Sequence, residues 1–221
     1  MAHPELNDAT LDEVREALAP EVALNAAFDG WSAQAVAQAA DTLGLDRDVA
    51  ALAYPGGAVE MIDAWFAHID SAMAARFTDA QLSAMKIRER ITALVEARLD
   101  LLAGNREALR RALAILAMPQ NAARAARLGW RSADRMWRLA GDTATDYNHY
   151  TKRAILGGVY AATIAVFVND ESEDWVETRG FLGRRIDGVM RFEKAKARLL
   201  GRGQHRPSLS RFIGRLRYPA V

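Results

Sequence analysis

Apolar residues recur every three or four positions along almost the whole chain, and the apolar/polar alternation of a half-buried strand is nearly absent. A chain patterned in this way folds as packed helices, so the expected class is all-α. With 221 residues, 51% of them apolar, it can bury a sizeable core as one large domain or two small ones. Punctuation predicts helices at about 10–28, ended by Asp29-Gly30; 32–43, with Ser32 as N-cap and Gly44 as stop; and 46–53, capped by Asp46. Further helices are expected at about 57–77, 80–102, 105–117, 120–140, 144–169 and 173–200. Gly104, Pro119 and Gly129 read as interruptions, and Gly201 and Gly203 flank an expected hinge.

Much chemistry is excluded at once. There is no cysteine, hence no disulfide, thiolate nucleophile, iron-sulfur cluster or Cys-ligated zinc. Only His3, His68, His149 and His205 occur, none in HExxH or ExxH spacing, and GxSxG, GxGxxG and P-loop motifs are missing. No enzyme and no cofactor are expected. The acidic run NDESEDWVE, 169–177, suits a helix start, where the dipole favours acids, better than paired catalytic carboxylates. The longest uncharged run, AILGGVYAATIAVFVN at 154–169, falls short of the roughly 20 residues of a spanning helix and reads as a buried core helix. The acidic start, MAHPELNDATLDEV, lacks both a secretory apolar core and the arginine-rich character of a transit peptide. A bacterial cytoplasmic location, or a shortened chain, is expected from it.

Charge divides the chain. Residues 1–80 hold fourteen acids against Arg15, Arg47 and Arg76, a balance of −11, although the whole chain carries +1. The remainder is therefore strongly basic, which points to an anionic partner for the carboxyl-terminal part alone. One helix, then WSAQAVAQAADTLGL, a tight turn and DRDVAALAY, followed by long helices, resembles the architecture of TetR regulators. On that reading residues 1–56 are a helix-turn-helix-like bundle, 57–200 a helical ligand-binding and dimerisation domain, and 201–221 a hinge with an amphipathic tail. The helix at 46–53 would be the DNA reader, yet it offers Asp46, Arg47 and Asp48 and then only small apolar residues, within an acidic surround. A scaffold without nucleic acid is the preferred reading, and a ligand-responsive TetR-type transcription regulator is the alternative.

In the second domain, Met118, Trp130, Met136, Trp137, Tyr160 and Met190 cluster near the interruptions, which favours a cavity over a solid bundle, with ordinary core packing as the alternative. The stretch DTATDYNHYTKR at 142–153 concentrates polar and aromatic residues. Asp146, His149, Tyr150 and Arg153 share one helical face, as a partner-docking patch would; a locally satisfied polar helix end is the competing explanation.

The segments RALAILAMP at 111–119, DRMWRLAGDTATDYNHYTKRAILGGVY at 134–160 and FLGRRID at 181–187 resemble the ubiquinone biosynthesis accessory family that is ninth of the Coq series. KIRERITALVEARL, 86–99, and GWSAQAVAQAADTLGL, 30–45, extend the likeness over roughly 28–195. The resemblance implies a TetR-like homodimer that does not bind DNA, holds an isoprenoid lipid, phospholipid or quinone precursor, and serves the di-iron demethoxyubiquinone hydroxylase. It implies a lipid pocket lined by Leu113, Leu116, Met118, Trp130, Trp137, Tyr160, Ile164 and Phe167. The family's partner patch falls on Met136, Trp137, Asp146, Tyr150 and Arg153. His149 joins them here, where many members have tryptophan, and Tyr147 replaces phenylalanine.

The tail, GRGQHRPSLSRFIGRLRYPAV at 201–221, carries five arginines and no acid. Leu209, Phe212, Ile213 and Leu216 follow helical spacing beside Arg211, Arg215 and Arg217, the pattern of a helix lying in a membrane surface. Peripheral association with a bacterial inner membrane is expected, with docking on the protein itself or on a second copy as the alternative. The combined expectation is a non-catalytic lipid-binding protein that presents quinone intermediates to the hydroxylase.

Overall fold

The computed structural model describes residues 9–143 and 147–203, without the side chains of Tyr147, Asn148 and 192–203. Every regular element among them is helical, as the periodicity requires: α1 (Leu11–Asp29), α2 (Ala33–Leu43), α3 (Arg47–Leu52), α4 (Ala58–Ala75), α5 (Asp79–Ala84), α6 (Ile87–Leu102), α7 (Arg106–Leu116), α8 (Ala122–Leu139), α9 (Tyr147–Phe167) and α10 (Val176–Gly203). Residues through Leu182 form one compact unit, and a second begins at Gly183, within α10.

The caps predicted at Ser32 and Asp46 form, and α1 has one more that was not predicted. Thr10 and Glu13 form a reciprocal capping box on α1. The Ser32 hydroxyl accepts from the Ala35 amide, and Asp46 accepts from the amides of Asp48 and Val49. Between α2 and α3, Gly44 takes a left-handed conformation (φ 69°), which only glycine adopts without cost and which closes the tight turn. Small residues on α2, Ala35, Ala39 and Ala40, lie against α1, where Leu18 and Val22 are fully buried. Each such burial contributes roughly 1.5–3 kcal/mol relative to exposure. Trp31 ties this bundle to the later helices: its indole donates to the Ala108 carbonyl (3.0 Å), and its ring packs 5.4 Å from that of Trp65.

Three expectations are corrected. The helix expected over 80–102 is two helices, with Met85 and Lys86 extended between them. Glu89 accepts from the Lys86 amide and starts α6 afresh, while Arg90 donates to the carbonyls freed at the break, Met85 (2.9 Å) and Ser83 (3.1 Å). Gly129 does not interrupt α8, which runs unbroken from Ala122. A helical glycine costs only about 1 kcal/mol relative to alanine, too little to break α8, and a Cβ added at Gly157 of α9 would lie at ordinary contact distance, 3.9 Å, from the Gly129 carbonyl. Finally, α10 continues through Gly201 to Gly203 where a hinge was expected, since glycine costs a helix only about 1 kcal/mol and does not forbid it.

Candidate functional site

Where α7, α8 and α9 diverge they leave a cleft of about 430 Å³, within the usual range of small-molecule sites. Leu109, Leu113 and Leu116 come from one face of α7, Leu128 and Gly129 from α8, and Gly157, Tyr160, Ala161 and Ile164 from α9, with Phe66 of α4 closing one side. Apart from the Tyr160 hydroxyl, this lining has no polar side chain. The small residues Ala125, Gly129, Gly157, Ala161 and Ala165 make the space, because the helix backbones provide walls that no side chain fills.

Of the residues expected to contact lipid, Leu113, Leu116, Tyr160 and Ile164 line the cleft. The other four are placed elsewhere. Met118, 43% exposed, stands at the turn before α8. Phe167 is buried edge-on against Trp175 (5.2 Å) under the Arg106 guanidinium. Trp137 donates from its indole to the Lys152 carbonyl (3.0 Å), with the Lys152 ammonium over its ring. Trp130 joins an aromatic cluster on the surface. Leu109 was legible in the same i, i+4, i+7 series as Leu113 and Leu116, whereas the alanines and glycines carry no such signal.

The expected docking residues divide between inside and outside. Arg153 is 1% exposed and donates to Asp134 (2.6 Å), Asp142 (2.9 Å) and the His149 carbonyl (3.1 Å). Lys152 adds a second cation to Asp142 at 2.6 Å. Burial opposes ionisation of Asp134 and Asp142, but the hydrogen bonds and charges of Arg138, Lys152 and Arg153 outweigh it and hold both carboxyls below their ordinary range. Arg153 is thus part of an internal clamp, and its assignment to the surface patch is corrected. Met136, fully buried, is corrected likewise. Asp146 lies outside the described residues, as do Leu209, Arg211, Phe212, Ile213, Arg215 and Leu216 of the tail. What the surface presents is Tyr150, 61% exposed, with His149 edge-on at 5.1 Å and Trp130 at 6.0 Å from the Tyr150 ring.

Behind the cleft runs an alternation of charge. Arg131 of α8 pairs with Asp63, and its Nε lies 3.4 Å from Asp70; Asp70 also accepts from Arg98 of α6 and from the Ser132 hydroxyl (3.4 Å). Arg98, 1% exposed, donates through Nε to the Tyr160 hydroxyl at 2.9 Å. Burial works against its charge, but Tyr160 and Asp70 more than compensate and raise its pKa. Asp70 and Arg98 stand 28 positions apart, and nothing local in the sequence announces the pair.

The acidic run at 169–177 resolves as a cap. The Asp170 carboxylate accepts from the amide and hydroxyl of both Ser172 and Thr178. Burial disfavours its charge, yet those four bonds prevail and hold the carboxyl far below the ordinary range.

Residues 122–193, which contain α8, α9 and the start of α10, match the COQ9 family. The ubiquinone biosynthesis protein COQ9, mitochondrial, of Rattus norvegicus is 35% identical over 167 residues, 73% of this chain and 54% of its own length. Over this span the chain is similar to COQ9 proteins. The COQ9 proteins of Bos taurus and Homo sapiens, at 33% and 32% identity, cover the same 73% of the chain. The chain spans about half the length of these curated COQ9 relatives. The crystal structure of a TetR transcriptional regulator from Nitrosomonas europaea superposes with a TM-score of 0.62 at 26% identity, over 79% of this chain and 97% of its own. The fold is TetR-like, as expected. The expected placement in a bacterial cytoplasm, peripheral to the inner membrane, is overturned, because these COQ9 relatives are all named mitochondrial. An acidic first segment could not decide location in a chain that spans about half of its relatives. No described helix is long and apolar enough to cross a membrane.

Proposed function

We propose that the chain is a non-catalytic, lipid-binding accessory protein of ubiquinone biosynthesis. The observation that carries this reading is the α7–α9 cleft, which is apolar but for one phenol and is built largely by helices inside the COQ9 match. An isoprenoid quinone intermediate exchanges bilayer contacts for this lining at little net cost, so uptake and release are both easy. The chemistry belongs to a partner, the di-iron demethoxyubiquinone hydroxylase, docked at the Trp130, His149 and Tyr150 cluster. Residues 1–56 serve as scaffold, 57–200 as the lipid-binding and homodimerising part, and the tail from 201 carries the chain to an anionic membrane surface.

The rival reading is a DNA-binding regulator, favoured by the likeness to the Nitrosomonas transcriptional regulator. Against it, Arg47, the one basic residue of α3, is held by both oxygens of Asp41 at 2.8 and 2.5 Å, and residues 1–80 carry −11. Phosphate contacts, which dominate operator affinity, have few donors there. Native mass spectrometry of gently purified protein, with identification of co-purified lipid, tests the proposal directly. A bound prenylated quinone or isoprenoid is expected. Lipid-free protein that shifts a specific duplex in a salt-sensitive manner would transfer the case to the regulator.

A further inference from the structure

The cleft has one polar group, and it is held in an unusual manner. Tyr160 Oη accepts from Arg98 Nε, and among the described residues the phenol has no acceptor for its own hydrogen. A hydroxyl that accepts from a guanidinium turns its hydrogen away from that cation. Arg98 belongs to the buried interior, whereas Tyr160 is half-buried and lines the cleft. Tyr160 is the one residue of the lining with a hydroxyl, so its hydrogen is the side-chain donor that the cleft can offer a ligand. The cation behind it polarises the O–H bond and strengthens it as a donor, more so at low local dielectric.

The phenol is also fixed in place. Arg98 is anchored by Asp70, and Asp70 by Ser132 and Arg131, so side chains from α4, α6 and α8 converge to hold one hydroxyl of α9. The guanidinium further rests over the Tyr160 ring, 5.1 Å from its centroid. Ion pairs buried this deeply contribute little to net stability, since desolvation offsets their attraction. What this one supplies is preorganisation, a donor whose orientation is set before any ligand arrives.

From this geometry we infer that the cleft is selective for an isoprenoid whose head bears a carbonyl-type acceptor oxygen, which takes its hydrogen bond from Tyr160 Oη while the tail lies along Leu109, Leu113, Leu116 and Ile164. Tyr160 is the specificity-determining donor, and Arg98 positions it. The inference rests on the lipid-cleft reading and sharpens it: the tail supplies affinity, and the head is distinguished by one bond.

Two probes separate the ideas, a ubiquinone with two isoprene units and farnesene, an isoprenoid hydrocarbon without a polar head. Both are partitioned between phosphatidylcholine vesicles and the full chain. Tyr160→Phe should weaken quinone uptake about five- to tenfold, the range of a single net hydrogen bond, and leave farnesene within about twofold. Infrared spectra of the wild-type complex should show one quinone carbonyl stretch displaced to lower frequency, and the displacement should vanish in Tyr160→Phe. Because that variant leaves Arg98 Nε without its acceptor, the wild-type infrared signal decides the matter should the variant fail to fold. An undisplaced carbonyl stretch, or equal losses for both probes, would overturn the inference while leaving the lipid cleft intact. Wild-type protein that takes up neither probe overturns the lipid cleft itself, and this inference with it.

Discussion

Two arginines are buried to the same extent, 1% exposed, and are used in opposite ways. Arg153, near the start of α9, is enclosed by two carboxylates and a carbonyl of its own helix, so that its ion pairs tie α9 to Asp134 of α8 and to Asp142 of the segment before it. Arg98, beneath the middle of the same helix, meets one carboxylate and one phenol, and the phenol opens on a cleft. The difference teaches that burial of a charge does not reveal its purpose; the decisive point is whether the last group in its network ends inside the protein or at a space. By that criterion the region around residue 153 is architectural and the region around residue 160 is a site.

The comparison can be broken most forcefully at the clamp. Arg153→Ala removes the cation that Asp134 and Asp142 share, leaving them only Arg138 and Lys152, and is expected to destabilise the fold by about 3 kcal/mol, seen as a large fall in the thermal midpoint. A midpoint unchanged from the wild type would return Arg153 to the surface.

Asp142→Asn weakens the same clamp from the acidic side, with an expected loss of about 1.5–3 kcal/mol, the range for hydrogen bonds to charged groups. Its pH dependence has a definite sign. Asp134 and Asp142 titrate below the ordinary carboxylate range when folded, so the unfolded chain takes up protons first as pH falls. Their stabilisation is complete above the unfolded pKa, about 3.9, and is lost as pH drops through the folded values. Denaturant titrations between pH 6 and 3 should show that decline in the wild type and a shallower one in Asp142→Asn.

The aromatic cluster should behave differently from either arginine. Tyr150→Ala removes an exposed ring, so stability should stay within about 0.5 kcal/mol. Capture of the hydroxylase should fall by about 2 kcal/mol, as for an aromatic anchor at a protein interface. Undiminished capture, measured by pulldown with quantified eluate, would remove the cluster from the docking face.

The sequence carried the fold further than the site. Ser32, Asp46 and Gly44 act through neighbours two to four positions away, so their caps and turns were legible from local pattern. The break at Met85-Lys86 was not, because no glycine or proline marks it and Arg90 stabilises it by capturing carbonyls. Leu113, Leu116, Tyr160 and Ile164, expected at a lipid pocket from the family resemblance, do line the cleft. Phe167 and Trp137 have the same character but a different address, set by Trp175 and Lys152 across helix junctions. Arg153 looked like a docking residue for the reason that made it a clamp, a charged side chain at a polar helix end. Only the positions of Asp134 and Asp142 distinguish the two roles, and those are matters of three-dimensional packing.

The most direct test of the central claim is a saturation measurement of short-chain ubiquinone on the purified chain, paired with Ala161→Trp, which fills the cleft from its open side. The account predicts saturable uptake of one quinone per chain by the wild type, and affinity lowered about tenfold, or 1.4 kcal/mol, in Ala161→Trp at unchanged stability. Uptake that never saturates, or that Ala161→Trp leaves untouched, would contradict it.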